Sequence, residues 1–150
     1  MKSIFENQSY AEIVSRLDNL SDKNQAQWGK MNVTQMMVHC QKVIEVALGE
    51  RTLKKPHSIM GLILKLMKPT LYNDKKWKEN IPTAKEYVIT DTATFETEKN
   101  RLKTFIEKIH EAEDYFKPSK AHPYFGNMNP EQWGQSAYKH LDHHFRQFGV

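Results

Sequence analysis

The sequence is poor in cysteine, glycine and proline. Its 150 residues include one cysteine, Cys40, with six glycines and six prolines. A single cysteine cannot form an intrachain disulfide, so a disulfide scaffold is excluded and a reducing, cytoplasmic compartment is expected. The remaining composition, 39% hydrophobic and 27% charged, is typical of a globular protein and argues against disorder. The length predicts one domain over residues 1–150.

Long apolar runs are also missing. The longest, Ile59 to Met67, is interrupted by Lys65 and is far shorter than the roughly 20 residues that a membrane-spanning helix needs. Met1 to Tyr10 contains one lysine and polar residues rather than an apolar core, so no secretory signal is expected. We therefore predict no membrane partner. Ile59 to Met67 is interpreted as a packing segment, with a lid over a pocket and a homodimer contact as alternatives.

The sequence also lacks a strong excess of either positive or negative charge. The formal net charge is +4, which permits attraction to anionic substrates but is too small for a nucleic-acid-binding surface. Basic groups such as Lys75-Lys76-Trp77-Lys78 stand beside acids or prolines and are interpreted as solvated loop charge. No nucleic-acid partner is predicted.

Two segments with the 3.6-residue apolar repeat of amphipathic helices lie in the first third of the chain. The first runs from about Gln8 to Leu20. The second runs from Asn32, a favourable N-cap, to Leu48, and Gly49 supplies its stop. Cys40 falls on the apolar stripe of the second helix, so it is predicted to be a buried small hydrophobic residue.

Two further long helices are predicted in the second half. One begins at Asp91 or Thr92, carries Phe116 on its apolar stripe and ends before Pro118. The other follows Asn129-Pro130, an N-cap with proline at the first helical position. Residues 50–90 form a long crossover with a short apolar helix near residues 58–68, and residues 117–129 are predicted to be a loop. The fold class is therefore all-α, a helix bundle.

Three of the seven histidines occupy suggestive positions. At 100° per residue, His140 and His144 lie one turn apart on the same edge of the last helix, so both rings can reach one ion. His39 lies at the edge of the second helix's apolar stripe and supplies a third ligand. His143 points away from this edge, and His57 and His122 lie in loops without an assigned role.

Imidazole is a good ligand for zinc, nickel, iron and copper, and three protein ligands leave coordination positions open for water or substrate. Such a site can generate a nucleophile from water or hold a thiol substrate as its thiolate. Chance pairing of surface histidines at this spacing is the alternative explanation.

Several motifs together are distinctive: Trp28-Gly29-Lys30-Met31, Gln35 to Cys40, His122-Pro123-Tyr124-Phe125-Gly126, Trp133, and Tyr138 to Phe148. They resemble the DinB/YfiT-like metalloenzyme superfamily, and specifically a branch known as a domain of unknown function. The resemblance spans the whole chain.

The resemblance implies a DinB-like four-helix bundle with one ligand histidine on the second helix and an HxxxH pair on the last. In this sequence these are His39, His140 and His144. It further implies zinc or nickel as the metal and a metal-dependent transferase or hydrolase acting on a small molecule such as a low-molecular-weight thiol. The alternative is a non-catalytic or partner-binding bundle with a vestigial metal site.

Two further side chains, His122 and Gln35, can each be interpreted in two ways. His122 is either a base or further ligand near the metal, or part of a structural turn. Gln35 lies one turn before His39 and either orients it or is exposed to solvent. Trp28, Trp133 and Phe145 are interpreted as core rather than as a substrate platform.

Overall fold

Helices form most of the part of the chain that the structure describes. In the computed structural model, which describes residues 1–54 and 56–150, the α-helices are α1 (Asn7–Asp18), α2 (Val33–Ala47), α3 (Ser58–Met67), α4 (Phe95–His110) and α5 (Pro130–Gln147). Lys55, within the predicted crossover, lies outside the described residues.

Asparagine caps begin the two helices that carry the candidate ligands. Asn32 accepts a hydrogen bond from the backbone of Gln35, and the Gln35 side chain accepts one from the backbone of Asn32. Asn129 and Gln132 repeat this capping box at α5. Each box satisfies two backbone N–H groups that a helix start would leave unpaired. Both predicted N-caps are confirmed.

The four longest helices, α1, α2, α4 and α5, all contribute side chains to the main hydrophobic core. α2 contacts α4 and α5, and α1 contacts the same two helices. Cys40 is fully buried, as predicted. The largest fully buried side chains in this core come from all four helices and from the segments beside them: Ile4, Ile13, Leu17, Met36, Met37, Leu102, Ile106, Ile109, Phe116, Met128, Phe145 and Phe148.

The helix predicted from Asp91 or Thr92 through Phe116 is shorter in the structure, where α4 covers Phe95–His110. Thr94, rather than Asp91 or Thr92, caps α4, because its side chain accepts from the backbone of Thr97. The helix ends at His110, and Phe116 lies in a separate 3₁₀ turn, Glu113–Phe116. Phe116 is nevertheless fully buried, so the pattern identified a core residue correctly but assigned it to the wrong element.

A small β-hairpin corrects the all-α prediction. Strands β1 (Lys120–His122) and β2 (Gly126–Met128) pair antiparallel within the segment predicted to be a loop. Gly126 has φ +75°, a left-handed conformation that glycine adopts without steric cost. The hairpin lies directly before the Asn129 cap and therefore sets where α5 begins.

The apolar segment in the crossover does not pack into the core. It forms α3, in which no residue is buried, so the interpretation of Ile59 to Met67 as a packing segment is wrong. α3 contacts the 3₁₀ turn that follows it, Lys68–Leu71. Among the described residues, no helix is both long and apolar enough to cross a membrane.

Candidate metal centre

Three histidines from two helices meet where α2 faces α5. His39 projects from α2, and His140 and His144 project from successive turns of α5. One ring nitrogen from each lies within 4.8 Å of the others, and together they could hold a metal ion. His39 is 4% exposed and His144 is 7% exposed, whereas His140 keeps partial access to solvent.

The orientation of His39 is set by a backbone carbonyl. Its Nδ1 lies 3.2 Å from the carbonyl oxygen of Tyr87. A carbonyl can only accept, so Nδ1 carries the ring proton and Nε2 keeps its lone pair. That Nε2 lies 3.1 Å from the Nε2 of His140. The lone pair of His39 is therefore directed at the second candidate ligand.

A side-chain amide orients His144 in the same way. Its Nδ1 lies 2.9 Å from Oε1 of Gln147, while Nε2 of Gln147 donates to the carbonyl of Trp28 at 2.7 Å. Because the amide nitrogen is engaged by Trp28, the amide oxygen faces the imidazole and accepts from Nδ1. The lone pair of His144 is thus also on Nε2.

Burial keeps the three rings neutral. Burial lowers the pKa of His144 to about 3, with a further contribution from nearby His39. Burial is also the main reason that the pKa of His39 is lowered. The pKa of His140 lies well below its usual range, mainly because of burial and further because of the neighbouring imidazoles. Neutral imidazole is the form that binds metal.

The indole ring of Trp77, in the crossover, lies beside the cluster. The Trp77 ring lies 6.0 Å from that of His140 and 5.5 Å from that of His143, between ring centroids. Lys139 holds this part of the crossover against α5, donating to the backbone carbonyls of Thr70 and Asn73 at 2.8 and 2.7 Å. This part of the crossover therefore lies beside the site, and Tyr87, further along the same crossover, bonds directly to His39.

His143 is more deeply placed than its position on the helix predicted. It is not a member of the three-histidine group, in agreement with the prediction that it points elsewhere. It is buried, however, with its ring against Trp28 and Trp77, and its Nδ1 has no hydrogen-bond partner among the described residues. Helical periodicity placed it relative to α5 but could not include the crossover that covers it.

Gln35 and His122, for which the sequence left a role at the site open, both have structural roles. The hydrogen bonds of Gln35 go to groups other than His39: its side chain completes the capping box at Asn32 and donates to the carbonyl of Ile89. His122 accepts at Nδ1 from the backbone of Tyr124, and its ring stacks on Trp133 at 5.3 Å. The structural-turn interpretation of His122 is confirmed.

Trp133 and Phe145 are buried in the core, as predicted, whereas Trp28 is half-buried beside His143. Tyr87 and Gln147 were not predicted to be part of the site. A backbone carbonyl carries no residue-specific signal, but Gln147 lies three residues after His144, a spacing that brings helical side chains together.

The geometry suits a divalent ion. Zinc–nitrogen bonds of 2.0–2.1 Å at tetrahedral angles separate two ligand nitrogens by about 3.3 Å, and the nitrogens of His39 and His140 lie 3.1 Å apart. Hydrogen bonds from Nδ1 to Tyr87 and Gln147 match the outer contacts that orient histidine ligands in metalloproteins. The residues present therefore fit a three-histidine metal site.

These features define a mostly helical protein with a three-histidine cluster, largely buried, between α2 and α5. The chain belongs to a family of proteins of unknown function, DUF1569, whose match covers residues 3–149. It matches no curated protein and no solved structure. This match agrees with the part of the predicted resemblance that named a domain of unknown function. It does not link the chain to the DinB/YfiT superfamily, and it indicates no reaction.

Proposed function

We propose that His39, His140 and His144 bind one divalent metal ion, zinc or nickel, and that the protein is a metal-dependent enzyme of the thiol-transferase or hydrolase type. The observation that carries this proposal is the convergence of three neutral imidazoles, two of which have their proton held on Nδ1 by Tyr87 and Gln147. Two adjacent lone pairs at 3.1 Å repel each other unless a proton or a cation lies between them.

The rest of the site supports a small-molecule substrate. Three protein ligands leave at least one coordination position free, and His140 is the ligand with solvent access. When bound, the ion would stabilise an anionic nucleophile derived from water or a low-molecular-weight thiol. Trp77 borders His140 and would restrict the size of a molecule that approaches it.

We also propose a DinB-like four-helix bundle as the architecture and the cytoplasm as the location. Four long helices that each contact two others are consistent with a DinB-like four-helix bundle forming a single domain. The one cysteine, Cys40, is free and buried in the core. Burial raises the pKa of its thiol, so it is unreactive, and a cytoplasmic location fits a chain without disulfides.

A non-catalytic bundle is the second candidate, and one contact favours it. If His140 carries its proton on Nε2, it donates directly to His39, and the 3.1 Å contact is then satisfied without a metal ion. The histidines would in that case serve packing or a protein partner.

Metal titration separates the two candidates. Chelator-treated protein is titrated with Zn²⁺ and Ni²⁺ by calorimetry while its melting temperature is recorded. We expect one ion per chain and a higher melting temperature, because an ion that binds the native state stabilises it by about 2.7 kcal/mol at 100 times its Kd. His140→Ala and His144→Ala should abolish both effects.

His57→Ala is the matched control, since His57 is exposed and lies outside the cluster; it should bind metal normally. Equal metal content in all variants would refute the metal site. A second assay tests the enzyme itself, using metal-loaded protein with thiol-acceptor pairs and ester substrates. Turnover that His140→Ala removes supports an enzyme. Stoichiometric metal without turnover favours the non-catalytic candidate.

A further inference from the structure

Helix α3 presents its apolar side to solvent. Its exposed large side chains recur at three- and four-residue steps and form one stripe: Ile59, Met60, Leu62, Ile63, Leu66 and Met67. Ile59 is 77% exposed and Leu66 is 74% exposed. At 100° per residue, Gly61 and Lys68 fall on the opposite side, and Lys68 donates to the carbonyl of Asn127 in the hairpin. The apolar stripe therefore faces outward.

The segment of the chain that carries α3 has a strongly unbalanced charge. The 28 residues from Arg51 to Lys78 contain eight lysines or arginines and one acid, Asp74, a net charge of +7. The other 122 residues hold 14 basic and 17 acidic residues, a net charge of −3. The chain's positive charge is thus concentrated in the segment that carries α3.

An exposed apolar helix within a cationic segment is complementary to one kind of surface. Apolar side chains enter the boundary between lipid headgroups and acyl chains, while nearby lysines attract anionic headgroups. A second copy of this chain is a poorer match, because a symmetric dimer through α3 would bring two such cationic segments together. Apolar stripes of this size are uncommon on surfaces that remain free.

We propose that α3 is an interfacial membrane anchor, which lies in the surface of a bilayer containing anionic lipid and inserts its apolar stripe. The sequence-based expectation of no membrane partner depended on the length needed to span a bilayer, which an interfacial helix does not require. The anchor is independent of the proposed metal site, so it is tested on metal-free protein.

Vesicle sedimentation tests the anchor. Metal-free protein is mixed with vesicles of phosphatidylcholine alone or of equal parts phosphatidylcholine and phosphatidylserine. We expect sedimentation with the anionic vesicles only, and release at high salt. Lys54→Gln/Lys65→Gln should weaken binding by about fivefold per lysine. The control pair Lys23→Gln/Lys30→Gln, also exposed but outside the segment, should bind more nearly like the parent.

The apolar stripe is tested by Leu62→Ser/Leu66→Ser. Both leucines are exposed, so the melting temperature should not change while vesicle binding is lost. Ile81→Ser/Val88→Ser, a pair of exposed apolar residues outside α3, should keep binding.

Three results would overturn the anchor. The first is no binding to anionic vesicles, and the second is equal binding to both vesicle types. The third is a dimer, seen by light scattering, that Leu62→Ser/Leu66→Ser dissociates, because a second copy would then cover the stripe.

Discussion

His144 and Gln147, three residues apart on α5, are joined by a 2.9 Å hydrogen bond from an imidazole nitrogen to an amide oxygen. The same amide donates to the carbonyl of Trp28, in the segment that precedes α2. This pair therefore connects the orientation of a candidate metal ligand to the chain before the helix that carries His39.

Gln147→Leu removes this orienting bond while it preserves much of the side-chain volume. We expect the Kd for Zn²⁺ or Ni²⁺ to rise about 10- to 100-fold, the usual effect of losing an outer partner of a histidine ligand. Competition against a chromophoric chelator measures the change. Gln135→Leu, on the same helix but hydrogen-bonded to Glu131, is the control and should keep the parent affinity. Equal affinities in both variants would show that Gln147 does not position His144.

Gly29→Ala should destabilise the segment against which Gln147 packs. Gly29 has φ +83°, and a Cβ there would lie 2.6 Å from Nε2 of Gln147. Strain in the left-handed region costs about 1–3 kcal/mol, so we expect the free energy of unfolding in urea to fall by that amount. At Gly61, in α3, an added Cβ would meet its nearest neighbour, Pro56, at 3.6 Å. Gly61→Ala should therefore be neutral or stabilising, and a similar loss in both variants would argue against the strain.

Gly134→Ala tests the close approach of the N-terminal segment to α5. A Cβ at Gly134 would overlap Oγ of Ser3 and come within 2.6 Å of the Phe5 ring, beside a 3.0 Å bond from the Ile4 amide to the Gly134 carbonyl. Overpacking of this kind costs about 1–3 kcal/mol, measured by urea unfolding. Adding Phe5→Leu should recover part of the loss. No recovery would show that the ring is not the obstacle.

The stability of the metal-free protein should decrease in acid, and His122 should contribute to the decrease. Burial lowers the pKa of His122 to about 4, against about 6.5 in an unfolded chain. Between these values the unfolded chain binds a proton that the folded chain does not. The free energy of unfolding therefore falls as pH falls, by up to about 1.4 kcal/mol per pH unit for this group.

Urea unfolding from pH 7 to pH 4 measures the slope. The slope of unfolding free energy against pH reports how many protons bind on unfolding, and His122→Gln should lower that number by about one. The buried histidines of the cluster will still contribute to the remaining slope. His57→Gln, at an exposed position outside the hairpin, is the control for the substitution itself. An unchanged slope in His122→Gln would contradict the low pKa.

Local signals in the sequence located the ligand-bearing helices well. Asn32 and Asn129 are N-caps because a short side chain satisfies the first free N–H groups, and this chemistry is readable without tertiary contacts. The spacing of His140 and His144 likewise places both on one edge of α5. Their meeting with His39 was expected from helix faces and is present in the structure, while metal binding stays a prediction.

Features that depend on distant contacts were not predictable. Phe116 continues the apolar repeat of α4 but belongs to a 3₁₀ turn, since a core position can be filled from either element. The carbonyl of Tyr87 that orients His39 comes from the crossover, 48 residues along the chain. The outward stripe of α3 also contradicts the usual rule that an amphipathic helix buries its apolar side.

The 101 residues that separate His39 from His140 have a consequence for unfolding. An ion bound by both would hold these two distant positions together only while α2 and α5 remain in contact. Once the helices part, only the neighbouring pair on α5 could retain the ion. Dissociation and global unfolding would therefore be coupled, and the loaded protein would unfold more slowly as the free metal concentration rises.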